Sequence, residues 1–176
     1  MAQPFTFRWH GQHNNEHTEW TLKCANWSAL LAEVRNLTGR HCTYEGCYHA
    51  GGRHIVRRLI FSDGETWLAR VPIVPFGNFD PDARSAWWTA ERKFTMESEI
   101  ATMKHIASTT SLPVPTVFGY QTSIDSNPVK LPYVLMQCIM GNMLYDLGGP
   151  DILNPKQRKK IRMSVAAVQV RTFYSY

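Results

Sequence analysis

The sequence has no run of about 18 apolar residues, so it offers no helix expected to cross a bilayer. It has no internal repeat and no low-complexity tract. Cysteine is scarce, with four in 176 residues. That is too few for a disulfide scaffold and points to a reducing compartment. The opening stretch MAQPFTFRWHGQHNNEHTEW carries no basic segment followed by an apolar core. No signal peptide is therefore read there, and a cytoplasmic location is expected.

What is present fits one globular unit. Hydrophobic residues make up 44% of the chain, too many for a disordered segment. The length suffices for one domain with its own core. The formal net charge is +5. Most cations are scattered, and the densest patch is KQRKK at 156 to 160, followed by Arg162. It reads as the solvated face of a helix, so binding to nucleic acid is disfavoured.

Residues 1 to 23 show no clear period and read as an arm. Trp27, Leu30, Leu31, Val34 and Leu37 then fall on one helical stripe, with Asn26 placed to cap its start and Gly39 its end. CTYEGCY, from Cys42, is short and β-prone. The stretch AGGRHIVRRLIFSDGETWLAR spans residues 50 to 70. It predicts a hairpin: a strand from Ile55 to Phe61, a turn at SDGE, and a return through TWLARV. Residues 72 to 94 form a long connection, with helix setting in after Asp82. A helix is expected from Met96 to Ala107. LPVPTVFGY and LPYVLMQCIMG read as strands, and Asn154-Pro155 opens a last helix near 155 to 170. The fold class is α+β: a small antiparallel sheet with one helix packed on it.

Three features suggest a site. On the 96–107 helix, Met96, Ile100, Met103, Ile106 and Ala107 share an apolar face, and Glu99 falls inside it. A carboxylate there either faces the sheet and needs a partner, or sits at the stripe's edge and reaches water. In TWLARV, Leu68 and Arg70 share one face of the strand. Arg70 is the candidate partner for Glu99. Gly51 and Gly52 precede the first hairpin strand, where backbone amides can approach phosphate oxygens without intervening side chains.

Taken in order, AGGRHIVRRLIFSDG, WLARVP, MESEIATMKHI, LPVPTVFGY and PYVLMQCIMGNML resemble the N-terminal lobe of aminoglycoside-phosphotransferase-like proteins of the branch abundant in fungi. These have a protein-kinase-like fold. The resemblance covers about residues 40 to 170. It divides the chain into an arm and helix (1–39), the kinase-like lobe with its hinge (40–141), and a trailing helix that starts a second lobe (142–176). It implies ATP as ligand. Gly51 and Gly52 would cover the phosphates, and Arg70 would take the place of a phosphate-binding lysine. Glu99 would hold that cation, while Leu68 and Met136 would line the adenine pocket. The backbone of Gln137 and Ile139 would pair with adenine, and Gly141 would turn the chain toward the second lobe. Self-association through the exposed hinge side is the implied partner contact.

The resemblance stops short of a complete enzyme. Phosphoryl transfer needs a carboxylate to position the acceptor hydroxyl and further oxygens for Mg²⁺. None of the seven histidines begins an H-x-D. The only D-x-D is Asp80-Pro81-Asp82, before the Glu99 helix. The expectation is a truncated, nucleotide-binding lobe that is inactive alone, with Mg²⁺ required only alongside a complete second lobe. The alternative is a non-catalytic scaffold. HCTYEGCYH, from His41 to His49, has four potential zinc ligands, but C-x4-C is not the usual zinc-knuckle spacing. No serine or cysteine has an evident base beside it.

Overall fold

The computed structural model describes residues 16–76, 84–141, 144 and 148–173. The histidines at 10 and 13 and the Asp80-Pro81-Asp82 motif lie outside them. Eleven elements follow in chain order: α1 (Glu16–Cys24), α2 (Trp27–Thr38), β1 (Cys42–Tyr44), β2 (His49–Ala50), β3 (His54–Phe61), β4 (Thr66–Pro72), α3 (Arg84–Trp87), α4 (Ala90–Thr109), β5 (Val117–Gln121), β6 (Tyr133–Gln137) and α5 (Pro155–Phe173). The class is α+β with one antiparallel sheet, in the order β1-β3-β4-β6-β5, with β2 also beside β3.

The hairpin of β3 and β4 is the centre of the sheet. Its turn closes when Phe61 N–H donates to Glu65 O at 2.9 Å and Gly64 N–H to Phe61 O at 3.0 Å. Gly64 sits at φ +86°, in the left-handed region that a three-residue hairpin loop requires. Asn26 caps α2 as expected, accepting from Ala29 N–H at 3.1 Å, and Gly39 ends it at φ +70°.

Alternation along β4 assigns the two faces. Trp67, Ala69 and Val71 join Leu59, Phe61 and Leu135 against Trp27, Leu30 and Val34 of α2. Leu68 lies on the opposite face, against Met96 and Ile100 of α4 and Val134 and Met136 of β6. The sheet is thus covered on both faces, not by the single helix expected. The α2-side core is the larger of the two, and Trp67 stacks on Phe118 there with ring centroids 3.9 Å apart.

Two elements depart from the expectation. Part of the stretch read as an arm is helix α1, whose buried residues are Thr18, Thr21 and Cys24. Two fully buried threonines sit in this contact beside Cys24, with Trp20 and Leu22 partly buried, so no continuous apolar stripe announces it. The Glu99 helix begins earlier than expected, at Ala90, after Thr89 accepts from Arg92 N–H at 3.3 Å. Its buried contact is narrower than the stripe suggested. Met96 and Ile100 are buried, Met103 and Ile106 half-buried, and Ala107 exposed.

Candidate functional site

Arg70 occupies the α4 face of β4, as alternation with Leu68 requires. Its Nη1 donates to Glu99 Oε1 at 2.5 Å. The Glu99 side chain is 42% exposed, so it sits at the edge of the helix stripe and not beneath it. Of the two placements open to Glu99, the edge is the one observed, with Arg70 as its partner at the rim of the helix–sheet contact. Water screens a pair so placed, and its net contribution to folding is at most about 1 kcal/mol. The geometry fixes a guanidinium; it does little for stability.

A third member is His54. Val56 pairs with Arg70 across the hairpin, and His54 is two residues back on the same face. Arg70 Nη2 lies 3.1 Å from His54 Nδ1. Burial first, and then the Arg70 cation, pushes the His54 pKa down from 6.5 to about 4. The ring is therefore neutral at pH 7, and its Nδ1 accepts from the guanidinium. The histidine was readable from register: in HIVRRLIF, positions 54, 56 and 58 share a face.

The glycines lie at the tip of the β2–β3 hairpin, with Arg53 between them and His54. Gly51 N–H donates to His54 O at 2.9 Å, and Ile73 N–H donates to Arg53 O at 2.9 Å. The tip is anchored on two sides. Among the described residues, the N–H groups of Gly52 and Arg53 have no backbone partner. Neither glycine has a left-handed φ. A Cβ on Gly51 would meet nothing nearer than 3.9 Å, and one on Gly52 would meet nothing within 4 Å. The fold itself does not demand glycine at either position. An uncovered backbone at the tip, joined through Arg53 to the His54 that contacts Arg70, is what the pair provides.

The other strand cations are engaged elsewhere. Arg57 lies on the α2 face, 4.5 Å from the Trp27 ring centroid and 4.4 Å from that of Tyr44. Arg58 pairs with Glu45. Arg53 is exposed at the hairpin tip and, with Arg70, contributes to lowering the His54 pKa. Positive charge at the tip therefore comes from Arg53 and Arg70, with Glu99 as the counter-charge.

Between β4 and β6, Leu68 and Met136 are register partners packed with α4, and Met136 is buried. Ile139 is exposed. The expectation for Gln137 is corrected. Its N–H donates to Thr116 O at 2.8 Å, on the β5 side. An extended residue presents its N–H and C=O to the same neighbouring strand. The backbone of Gln137 thus faces away from β4 and is not placed to pair with a base there.

Among the described residues, no three His, Cys, Asp or Glu side chains group together in a way suited to a metal ion. Cys42 and Cys47 are both free thiols, one on β1 and one beyond it. No helix among the described residues is long and apolar enough to cross a membrane.

Two curated proteins of Aspergillus fumigatus, from strains CEA10 and Af293, share similarity with this chain. Each is described as a subtelomeric hrmA-associated cluster protein. Identity is 43% over 94 residues in both. The match covers 53% of this chain and 16% of each relative, so the chain corresponds to a small part of those proteins. No family model matches the sequence. No solved structure matches it.

Proposed function

We propose that this chain is an ATP-binding lobe of the aminoglycoside-phosphotransferase-like, kinase-like type, which does not transfer phosphate by itself. The observation that carries the reading is the 2.5 Å contact from Arg70 to Glu99, linked to the diglycine tip through His54. A strand cation held by a helix carboxylate, beside bare backbone amides, suits the α- and β-phosphates of a nucleotide. A guanidinium can serve a carboxylate and a phosphate oxygen together because its donors form a fork. Leu68 and Met136 lie on the same sheet face, packed with Met96 and Ile100 of α4, and would border the base from within that apolar cluster. The residues present fit the phosphate end of ATP. At the base end Ile139 is exposed beyond β6, with Gln137 turned away. Mg²⁺ has no grouping to hold it among the described residues, and no catalytic step is assigned.

The test is an ATP titration of the full chain followed by tryptophan fluorescence. Saturable binding is expected. Arg70→Met should weaken it by about 30-fold, the loss of a charged hydrogen bond. The fold should survive this change, because the pair it removes lies at a solvent-exposed rim. A wild-type chain showing no response at millimolar ATP would defeat the proposal. Phosphotransferase assays over a panel of alcohol and amine acceptors should show no turnover above background.

A second reading is association without nucleotide. Ile139 and Met140 beyond β6, and Ile161, Met163, Val165 and Val168 on α5, are all exposed. That much apolar surface favours contact with another copy. Light scattering at rising concentration separates the readings. A defined dimer with no ATP response favours the scaffold.

A further inference from the structure

We propose that His54 is a positioning residue for Arg70: its Nδ1 and the Glu99 carboxylate grip the guanidinium from two sides and present the remaining donors toward the diglycine tip. This rests on the nucleotide reading for its purpose, though not for its geometry. An arginine side chain on an exposed strand face samples many rotamers, and one contact to a half-exposed carboxylate leaves it a swing about that contact. The second contact, at 3.1 Å from a different nitrogen, removes it. The two partners come from different elements, β3 and α4, so the guanidinium is fixed with respect to both. His54 is held in turn: its own carbonyl accepts from Gly51 N–H. The ring that orients Arg70 therefore belongs to the same turn that carries the glycines. Movement of the tip and movement of the cation are coupled.

The charged and titratable groups that act on the ring are Arg70 on β4, Glu99 on α4 and Arg53 at the tip. Only a neutral imidazole can accept from Arg70. A protonated ring has no lone pair to offer and repels the guanidinium. The grip thus holds at neutral pH and fails when the ring protonates.

The experiment has two arms on the full chain. Histidine ring nitrogens are followed by NMR against pH, with His54 assigned by His54→Gln. The expected result is an unprotonated Nδ1 at pH 7 and a midpoint near 4, moving up toward 6.5 in Arg70→Met. In the second arm, ATP binding is compared for wild type, His54→Gln and His54→Phe. Gln retains an acceptor and should hold affinity within about threefold of wild type, while Phe should lose about tenfold. Gln should also abolish any weakening of ATP binding that follows the His54 midpoint. A midpoint near 6.5 that ignores Arg70→Met overturns the proposal, as does wild-type ATP affinity in His54→Phe. If wild type binds no ATP, the nucleotide reading fails, and the NMR arm alone decides whether His54 grips Arg70.

Discussion

The backbone N–H of Val74 donates to the hydroxyl of Thr21, 53 residues earlier, at 2.8 Å. That hydroxyl in turn donates to His17 O at 2.7 Å. Thr21 is fully buried, and this one side chain ties α1 to the segment leaving β4. Thr21→Val keeps the shape and removes the acceptor. It should cost about 2 kcal/mol, because the Val74 N–H stays buried without a partner. Urea unfolding monitored by tryptophan fluorescence gives the number. A loss below about 0.5 kcal/mol would mean that α1 is not tied down as described.

Asn127 should prove equally sensitive. It is buried, and its Nδ2 donates to Ser123 O at 2.9 Å and Leu131 O at 2.8 Å. Its Oδ1 accepts from Val129 N–H at 2.9 Å. These bonds shape the loop before β6, whose Val129 O accepts from Asn26 N–H at the start of α2. Asn127→Asp should destabilise by about 3 kcal/mol, since a carboxylate would face two carbonyl oxygens with no proton to give. Thermal melts at neutral pH should show a lower Tm. Lowering the pH toward the carboxyl's own pKa should recover part of the loss.

His54 predicts a pH dependence of folding. Its folded pKa is about 4 and its ordinary value 6.5. Between those values the unfolded chain takes up a proton that the folded chain refuses. Stability from this group is therefore complete above 6.5, falls as pH drops through the window, and levels off below about 4. Many carboxylates also titrate at the lower end, so the readout is a difference. The urea midpoint of wild type should decline more steeply between pH 6.5 and 4.5 than that of His54→Gln. Parallel declines would show that His54 is not held neutral.

The glycines separate fold from ligand. Gly39→Ala places a Cβ at φ +70° and should cost about 1 kcal/mol. Gly52→Ala meets no atom within 4 Å and needs no left-handed backbone, so Tm should hold within about 2 °C. If the tip covers phosphates, Gly52→Ala should still weaken ATP at least threefold by crowding the approach. Unchanged affinity would remove the tip from the site.

Local patterns made much of the fold readable. The alternation in TWLARV put Leu68 and Arg70 on one face, and the Asn26 and Gly39 caps bounded α2. The Arg70–Glu99 contact followed from those two periods. What escaped depended on partners distant in the chain. Helix α1 buries two threonines beside Cys24, and the distant partner of the Thr21 hydroxyl, the Val74 N–H, cannot be read from its sequence neighbours. Glu99 looked buried because the period was counted over five apolar residues, while the sheet covers the line through Met96 and Ile100. The orientation of Gln137 depends on how β6 pairs with β5, and that register shifts between Val117 and Gly119.

Helix α5 has a different status from the rest of the chain. Asn154 and Gln157 cap it reciprocally, through bonds of 2.9 and 3.0 Å. Yet every residue of it whose side chain is described lies exposed, and five cations crowd its first eight positions. Those cations oppose the dipole at its amino end. Among its described side chains none is buried, so its winding draws mainly on local bonds, and such helices lengthen and shorten by degrees with temperature. Warming should unwind this rod gradually, long before the layered body gives way in a single step.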